Sequence, residues 1–232
     1  MNQDAMRWLF WKEYRLNRLI VYVTLFLMVF PHLFALYAIW WRYRHYGIPA
    51  GTWLDYLAVS SLYGLCLSQA ALALIGGNAM AGERADRSAE FQAYLPLTRG
   101  KILGAKLLMA LAIAGMIWLT NASILCMLGR DNGYEFWRNT EELIVVLANT
   151  ATTGLTFFGV AWLFSSFLTS PTFSVCAGLI TPLLVVSGVA YIDYLFEIRD
   201  LNIGLWYRAI CLTAAPVCFA LGTWLYLRRV EP

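Results

Sequence analysis

Six apolar runs, each long enough to cross a bilayer, constrain this chain more than any other feature. They cover about Leu19–Trp41, Tyr56–Met80, Ile102–Leu128, Leu143–Leu168, Phe173–Tyr194 and Leu205–Leu227. A bilayer's hydrocarbon core is about 30 Å thick and takes about twenty helical residues, so each run reads as a membrane-spanning helix. Composition agrees: 13% of the 232 residues are charged, against roughly 25% in an ordinary soluble domain. A soluble fold would have to bury more apolar surface than a chain of this size can enclose. Ten Trp, thirteen Tyr and thirteen Phe supply the aromatic load of membrane interfaces. The fold class is therefore all-α, a polytopic membrane protein forming a single transmembrane domain over residues 1–232, with no room for a second globular domain.

The first run begins only after about eighteen more polar residues and exceeds a signal-peptide core, so it is expected to remain as an anchor. The preceding segment, Asp4–Arg18 (DAMRWLFWKEYRLNR), mixes aromatics with cations. On a helical wheel Arg7, Arg15 and Arg18 fall on one side, and Met6, Leu9, Phe10 and Leu16 on the other; Lys12 and Glu13 blur the division. This predicts an N-terminal helix lying in the membrane interface.

Within the spans, Gly64, Gly76 and Gly77 allow close helix packing. Ser61, Ser68 and Gln69 of span two and Asn149, Thr153 and Thr156 of span four form polar faces. These either line a translocation path or make interhelical hydrogen bonds. Pro31, Pro182 and Pro216 interrupt spans one, five and six. All five cysteines fall in apolar runs, without metal-ligand spacing, and read as small buried hydrophobes.

Charge sets the expected orientation. With six spans, both termini share a side with the loops after spans two and four, and that side collects eleven of the seventeen cations. By the positive-inside rule both termini are cytoplasmic. The long polar interruption from Ala79 to Lys106 is then cytoplasmic too. It carries Glu83, Arg84, Arg87, Glu90, Arg99, Lys101 and Lys106, and Ser88–Leu97 within it reads as a short helix bearing Phe91, Tyr94 and Leu95, turned back by Pro96.

Catalytic constellations are missing. The two histidines, His32 and His45, have no HExxH context, and no GxSxG elbow occurs. A GxxxxGK[ST] phosphate loop is also absent; Thr98–Lys101 matches only a fragment of one. Ionisable residues are nearly absent from the spans, whereas ion-coupled carriers use them. Energy for any transport is thus expected to come from outside the chain, which is not itself an enzyme.

The basic segment WKEYRLNR (Trp11–Arg18) before six spans, and a loop of the form E-R…L-P-L-T-R-x-K-I-x-x-x-K after span two, resemble the permease subunits of type-2 ABC transporters of the ABCG-like exporter fold. Ser88-Ala89 departs from the Gly-Thr-like pair of such loops. The resemblance implies an interfacial connecting helix and a cytoplasmic coupling helix between spans two and three, gripped by a separate ATPase subunit. Glu83, Arg84, Arg87, Glu90, Phe91, Tyr94, Leu95, Pro96, Arg99, Lys101 and Lys106 are the implied coupling residues. It further implies ATP and Mg on that partner with no cofactor on this chain, and a dimer with a second copy or a sister permease. Prokaryotic origin and a place in the cytoplasmic membrane follow from it as well, with no nucleic-acid partner. An uncharged polar path suits an amphipathic, lipid-like, peptide or drug cargo. The alternative is a non-transporting anchor or assembly subunit that recruits cytoplasmic proteins through the same loop.

Overall fold

A computed structural model describes residues 3–47, 53–85, 98–131, 140–196 and 203–228. They form seven helices: α1 (Gln3–Tyr46), α2 (Trp53–Ser68), α3 (Ala70–Ala85), α4 (Arg99–Asp131), α5 (Thr140–Phe167), α6 (Pro171–Phe196) and α7 (Ile203–Arg228), with no strand among the described residues. Six stretches are long and apolar enough to span: Arg7–Tyr46, Tyr56–Ala85, Arg99–Met127, Leu143–Phe167, Pro171–Tyr194 and Ile203–Arg228. Helices α2 and α3 are two halves of one of them.

The segment expected in the membrane interface and span one are a single helix. At 44 residues and 1.5 Å per residue, α1 is roughly 66 Å long, about twice the hydrocarbon thickness. Its inward stripe is Leu9, Glu13, Asn17, Thr24, Met28, Ala35 and Ile39, all buried. The steps of four and seven residues keep one helix face against its neighbours. Glu13 therefore belongs to the inward stripe, which is why the simple two-sided reading of this segment blurred there.

Helices α1, α2 and α4 pack on one another, as do α5, α6 and α7. Helix α3 bridges the two groups, lying chiefly against α5 and α6 with smaller contacts to α1 and α4. The bridging works because span two breaks in its middle. The Gln69 N–H turns to Cys66 O (3.3 Å) and the Leu72 N–H to Gln69 O (3.0 Å), which tightens the chain locally. The Leu65 carbonyl, which would have received the Gln69 N–H, instead accepts the Ser68 hydroxyl at 3.1 Å and the Gln69 side-chain amide at 3.0 Å. A helix can break at membrane depth only where such groups re-pair the freed backbone.

Small residues bring the helices together. A Cβ on Gly77 would lie 2.5 Å from Val175 Cγ2 and 2.8 Å from Val175 N, so α3 and α6 meet backbone to backbone. Gly159 of α5 sits directly against the Ala215 carbonyl of α7. Between them Trp162 is fully buried. Its ring centroid lies 5.3 Å from that of Phe158 and 5.4 Å from that of Phe219, and its indole N–H donates to Thr223 Oγ1 at 3.2 Å.

Candidate functional site

Among the described residues the strongest concentration of charge lies at the end of the bundle where α1 and α4 begin and α3, α5 and α7 end. Four ionisable side chains converge there from three helices. Lys12 Nζ and Lys106 Nζ each stand 2.9 Å from Glu83 Oε1. Glu13 Oε1 lies 3.4 Å from Lys106 Nζ and 3.7 Å from Lys12 Nζ. Lys106 also donates to the Ala79 carbonyl at 2.5 Å. Glu13, Glu83 and Lys106 are 2%, 6% and 4% exposed, so this is an interior quartet. Among the described residues two cations and two carboxylates meet in it. Buried ions of this kind persist only when each is matched by opposite charge and by hydrogen bonds.

One turn deeper, Asn78 Nδ2 donates to Asn17 Oδ1 at 2.9 Å, and Asn17 Nδ2 donates to its own helix at Glu13 O. Positions 9, 13 and 17 thus give α1 a continuous seam against α3 and α4, with Leu9 packed on Ile102 and Ala105. Two arginines extend the same end. Arg84 Nη2 donates to the Ser165 carbonyl in the last turn of α5. Arg99 Nη1 donates to the Tyr226 carbonyl in the last turn of α7 at 3.1 Å. Carbonyls in a final helical turn lack intrahelical donors and carry the negative end of the dipole, so a guanidinium answers both needs.

The five described coupling candidates therefore divide. Glu83 and Lys106 face inward in the quartet, Arg84 and Arg99 are half-buried on helix ends, and Lys101 is exposed. Arg87, Glu90, Phe91, Tyr94, Leu95 and Pro96 lie outside the described residues. The polar faces of spans two and four are largely internal. Ser61, Ser68, Gln69 and Thr156 are buried, and each donates to a carbonyl of its own helix. Thr153 shares a 2.5 Å hydrogen bond with Tyr207 of α7, and Thr150 Oγ1 lies 3.6 Å from Cys66 Sγ of α2. Asn149 is half-buried on the same face of α5.

Sequence reading missed Lys12, Glu13, Asn17, Asn78 and Tyr207 as members of these constellations. The only signal for Glu13 and Asn17 was their placement on the Leu9 stripe at helical spacing. Among the described residues no group of His, Cys, Asp and Glu could hold a metal ion.

No curated protein and no solved structure matches the chain. A family model described as ABC-2 family transporter protein matches residues 53–205, from the start of α2 to the start of α7 and well over half of the length. With six membrane-spanning helices arranged around a broken second span, the chain belongs to the ABC-2 transporter family, as a membrane component of an ABC transporter.

Proposed function

We propose that this chain is the permease subunit of an ATP-driven exporter, powered by a separate cytoplasmic ATPase that grips the segment between α3 and α4. The observation that carries this reading is the buried quartet. Glu83 stands on one flank of residues 86–97 and Lys106 on the other, and their 2.9 Å contact closes the flanks on each other. Lys12 and Glu13 tie the same pair to α1. A displacement of the intervening segment would thus reach α1, α3 and α4 together, with α5 and α7 following through Arg84 and Arg99.

In this reading two roles separate. Arg87, Glu90, Phe91, Tyr94, Leu95, Pro96 and Lys101 are contact residues for the ATPase; an aromatic ringed by charge suits a pocket on a soluble partner. Glu83, Arg84, Arg99 and Lys106 are positioning residues that pass the movement on. ATP and Mg belong to the partner. Two copies of this chain, or this chain and a sister permease, enclose the path, with both termini cytoplasmic. The inward, self-bonded hydroxyls of Ser61, Ser68 and Thr156 favour packing over path-lining for those positions. The cargo is an amphipathic, lipid-like, peptide or drug molecule.

The test is ATP hydrolysis by the partner ATPase in lipid, with and without this chain. Hydrolysis that rises with the chain and falls back in Phe91→Ala, while the two proteins still co-purify, is the expected result. Stable association with no change in hydrolysis would favour a recruiting anchor instead.

A further inference from the structure

We propose that the concavity on the outward face of α1 between Trp8 and Arg18 binds the phosphate headgroup of an anionic phospholipid in the adjoining leaflet. Its volume is about 320 Å³, and Trp8, Trp11, Lys12, Arg15, Leu16 and Arg18 line it. Half of these side chains are cations and none is acidic. Arg15 and Arg18 are exposed, and Lys12 is 15% exposed. Glu13, the one acidic residue between Trp8 and Arg18, is buried on the opposite side of the helix in the quartet. The Arg15 guanidinium lies over the Trp11 ring, 5.4 Å from its centre. Such stacking holds a guanidinium in place and leaves its N–H edge open to a bidentate phosphate contact.

Depth and direction identify the occupant. No Asp, Glu, Lys or Arg occurs from Leu19 to Trp41, and these 23 residues rise about 35 Å, against about 30 Å of hydrocarbon. Arg18 and Arg42 therefore bracket the apolar core. A headgroup layer adds about 5–8 Å on each side, so Arg18 and Arg15, about 4.5 Å apart along the axis, stand at phosphate level. Lys12 and Trp11 close the concavity from the water side. The direction is also that of lipid. Trp8, Arg15, Tyr22, Val29 and Leu36 follow one another at seven-residue steps and are all exposed, so the concavity opens on the same side as the apolar outer face of α1. A lipid whose acyl chains lie along Tyr22 and Val29 presents its headgroup to Arg18 and Arg15, and clustered cations at that depth select an anionic one. Lys12 Nζ also stands 2.9 Å from Glu83 Oε1, so a phosphate bound here shares one cation with the quartet. The proposal needs only the membrane embedding of the chain and stands apart from any ATPase partnership.

The experiment counts, by native mass spectrometry, the lipids retained by the full detergent-solubilised chain after equilibration with equal phosphatidylglycerol and phosphatidylcholine. Phosphatidylglycerol should be retained several-fold more than phosphatidylcholine. Arg15→Gln with Arg18→Gln should remove that preference. Both side chains are exposed, so the melting midpoint should stay in place, which reports that the variant has folded. Lys101→Gln with Arg228→Gln removes two exposed cations from the same end without touching the concavity and should change the preference less than two-fold. Trp11→Ala, which takes the stacking surface from Arg15, should have an intermediate effect and serves as the second variant should the first fold poorly. Equal retention of the two lipids by the parent chain, or an equal loss in both double variants, would overturn the proposal. So would an unchanged preference in Arg15→Gln with Arg18→Gln, which would leave the concavity to an acidic segment of a partner protein. Displacement of the retained phosphatidylglycerol by inorganic phosphate would overturn it in favour of a soluble anion.

Discussion

The two halves of span two obey different physics. Helix α3 exposes no large apolar side chain, whereas α2 leaves Val59, Tyr63 and Leu67 exposed. Helix α3 meets α5 and α6 through glycines at backbone distance, and its far end is held by Glu83 and Arg84. Helix α2 reaches its neighbours by lighter means: Ser60 to His32 at 2.7 Å, Arg42 to Tyr56 at 2.5 Å, and Cys66 beside Thr150. The break at Gln69 separates the two. A span divided in this way can keep α3 fixed on α5 and α6 while α2 adjusts with α1 and α4.

The sharpest way to break this contrast is to unbalance the quartet. Lys106→Met removes one of the two cations of the quartet and leaves Lys12 between Glu13 and Glu83. Removing one partner of a buried pair costs about 3–5 kcal/mol. A large fall in the thermal midpoint of the detergent-solubilised protein is expected, with partial recovery in the Lys106→Met, Glu83→Gln double variant. A midpoint unchanged in the single variant would mean that the quartet does not hold α3 in place.

Glycine substitutions sharpen the comparison at the next level. Gly77→Val drives a branched side chain into the Val175 backbone of α6 and should cost about 3 kcal/mol, the upper end of ordinary overpacking. Gly64 of α2 has more room, because its added Cβ would stand 3.0 Å from the Asn121 side-chain oxygen and 3.2 Å from Met28 O. Gly64→Ala should fall within about 1 kcal/mol of the parent, since its helix propensity gain opposes the crowding. Equal losses in the same melting assay would erase the distinction between the halves.

The hinge between them comes third. Ser68 and Gln69 both serve the Leu65 carbonyl, so Ser68→Ala and Gln69→Leu singly should each be mild. The double variant leaves that carbonyl bare inside the bundle and should cost about 1–3 kcal/mol. The measurement is a double-mutant cycle on the melting midpoint, and strict additivity would show that the two side chains do not share this task.

How far these features were legible in the sequence follows from the range of the interactions. Span number and helical class are written in apolar run length, a local property, and Gly76 and Gly77 announce close packing because small residues have few other uses in a span. The break at Gln69 left only a faint mark, a Ser-Gln pair inside an apolar run, because its cause is the fate of one carbonyl. The quartet was out of reach. Lys106 meets Glu13 across 93 positions, and nothing local distinguishes a lysine that will be buried by a distant carboxylate from one that will face water. The sequence places Glu83 and Lys106 only within a polar interruption; the fold turns both inward.

The smallest expected effect tests α2 alone. The Ser60 hydroxyl lies 2.7 Å from His32 Nδ1 of α1 and 2.9 Å from the Leu57 carbonyl of its own helix. Interhelical hydrogen bonds inside membranes average only about 0.6 kcal/mol, because a separated helix finds other partners for the same groups. Ser60 has its alternative already in place at Leu57, so the bond to His32 adds little beyond orienting the imidazole. Ser60→Ala should therefore cost about 0.6 kcal/mol or less, a shift of the melting midpoint near the limit of detection. Such a result would agree with an α2 held by replaceable contacts. A loss comparable to that of Lys106→Met would mean that α2 is fastened as firmly as α3, and the break at Gln69 would then join two rigid pieces instead of separating a fixed one from an adjustable one.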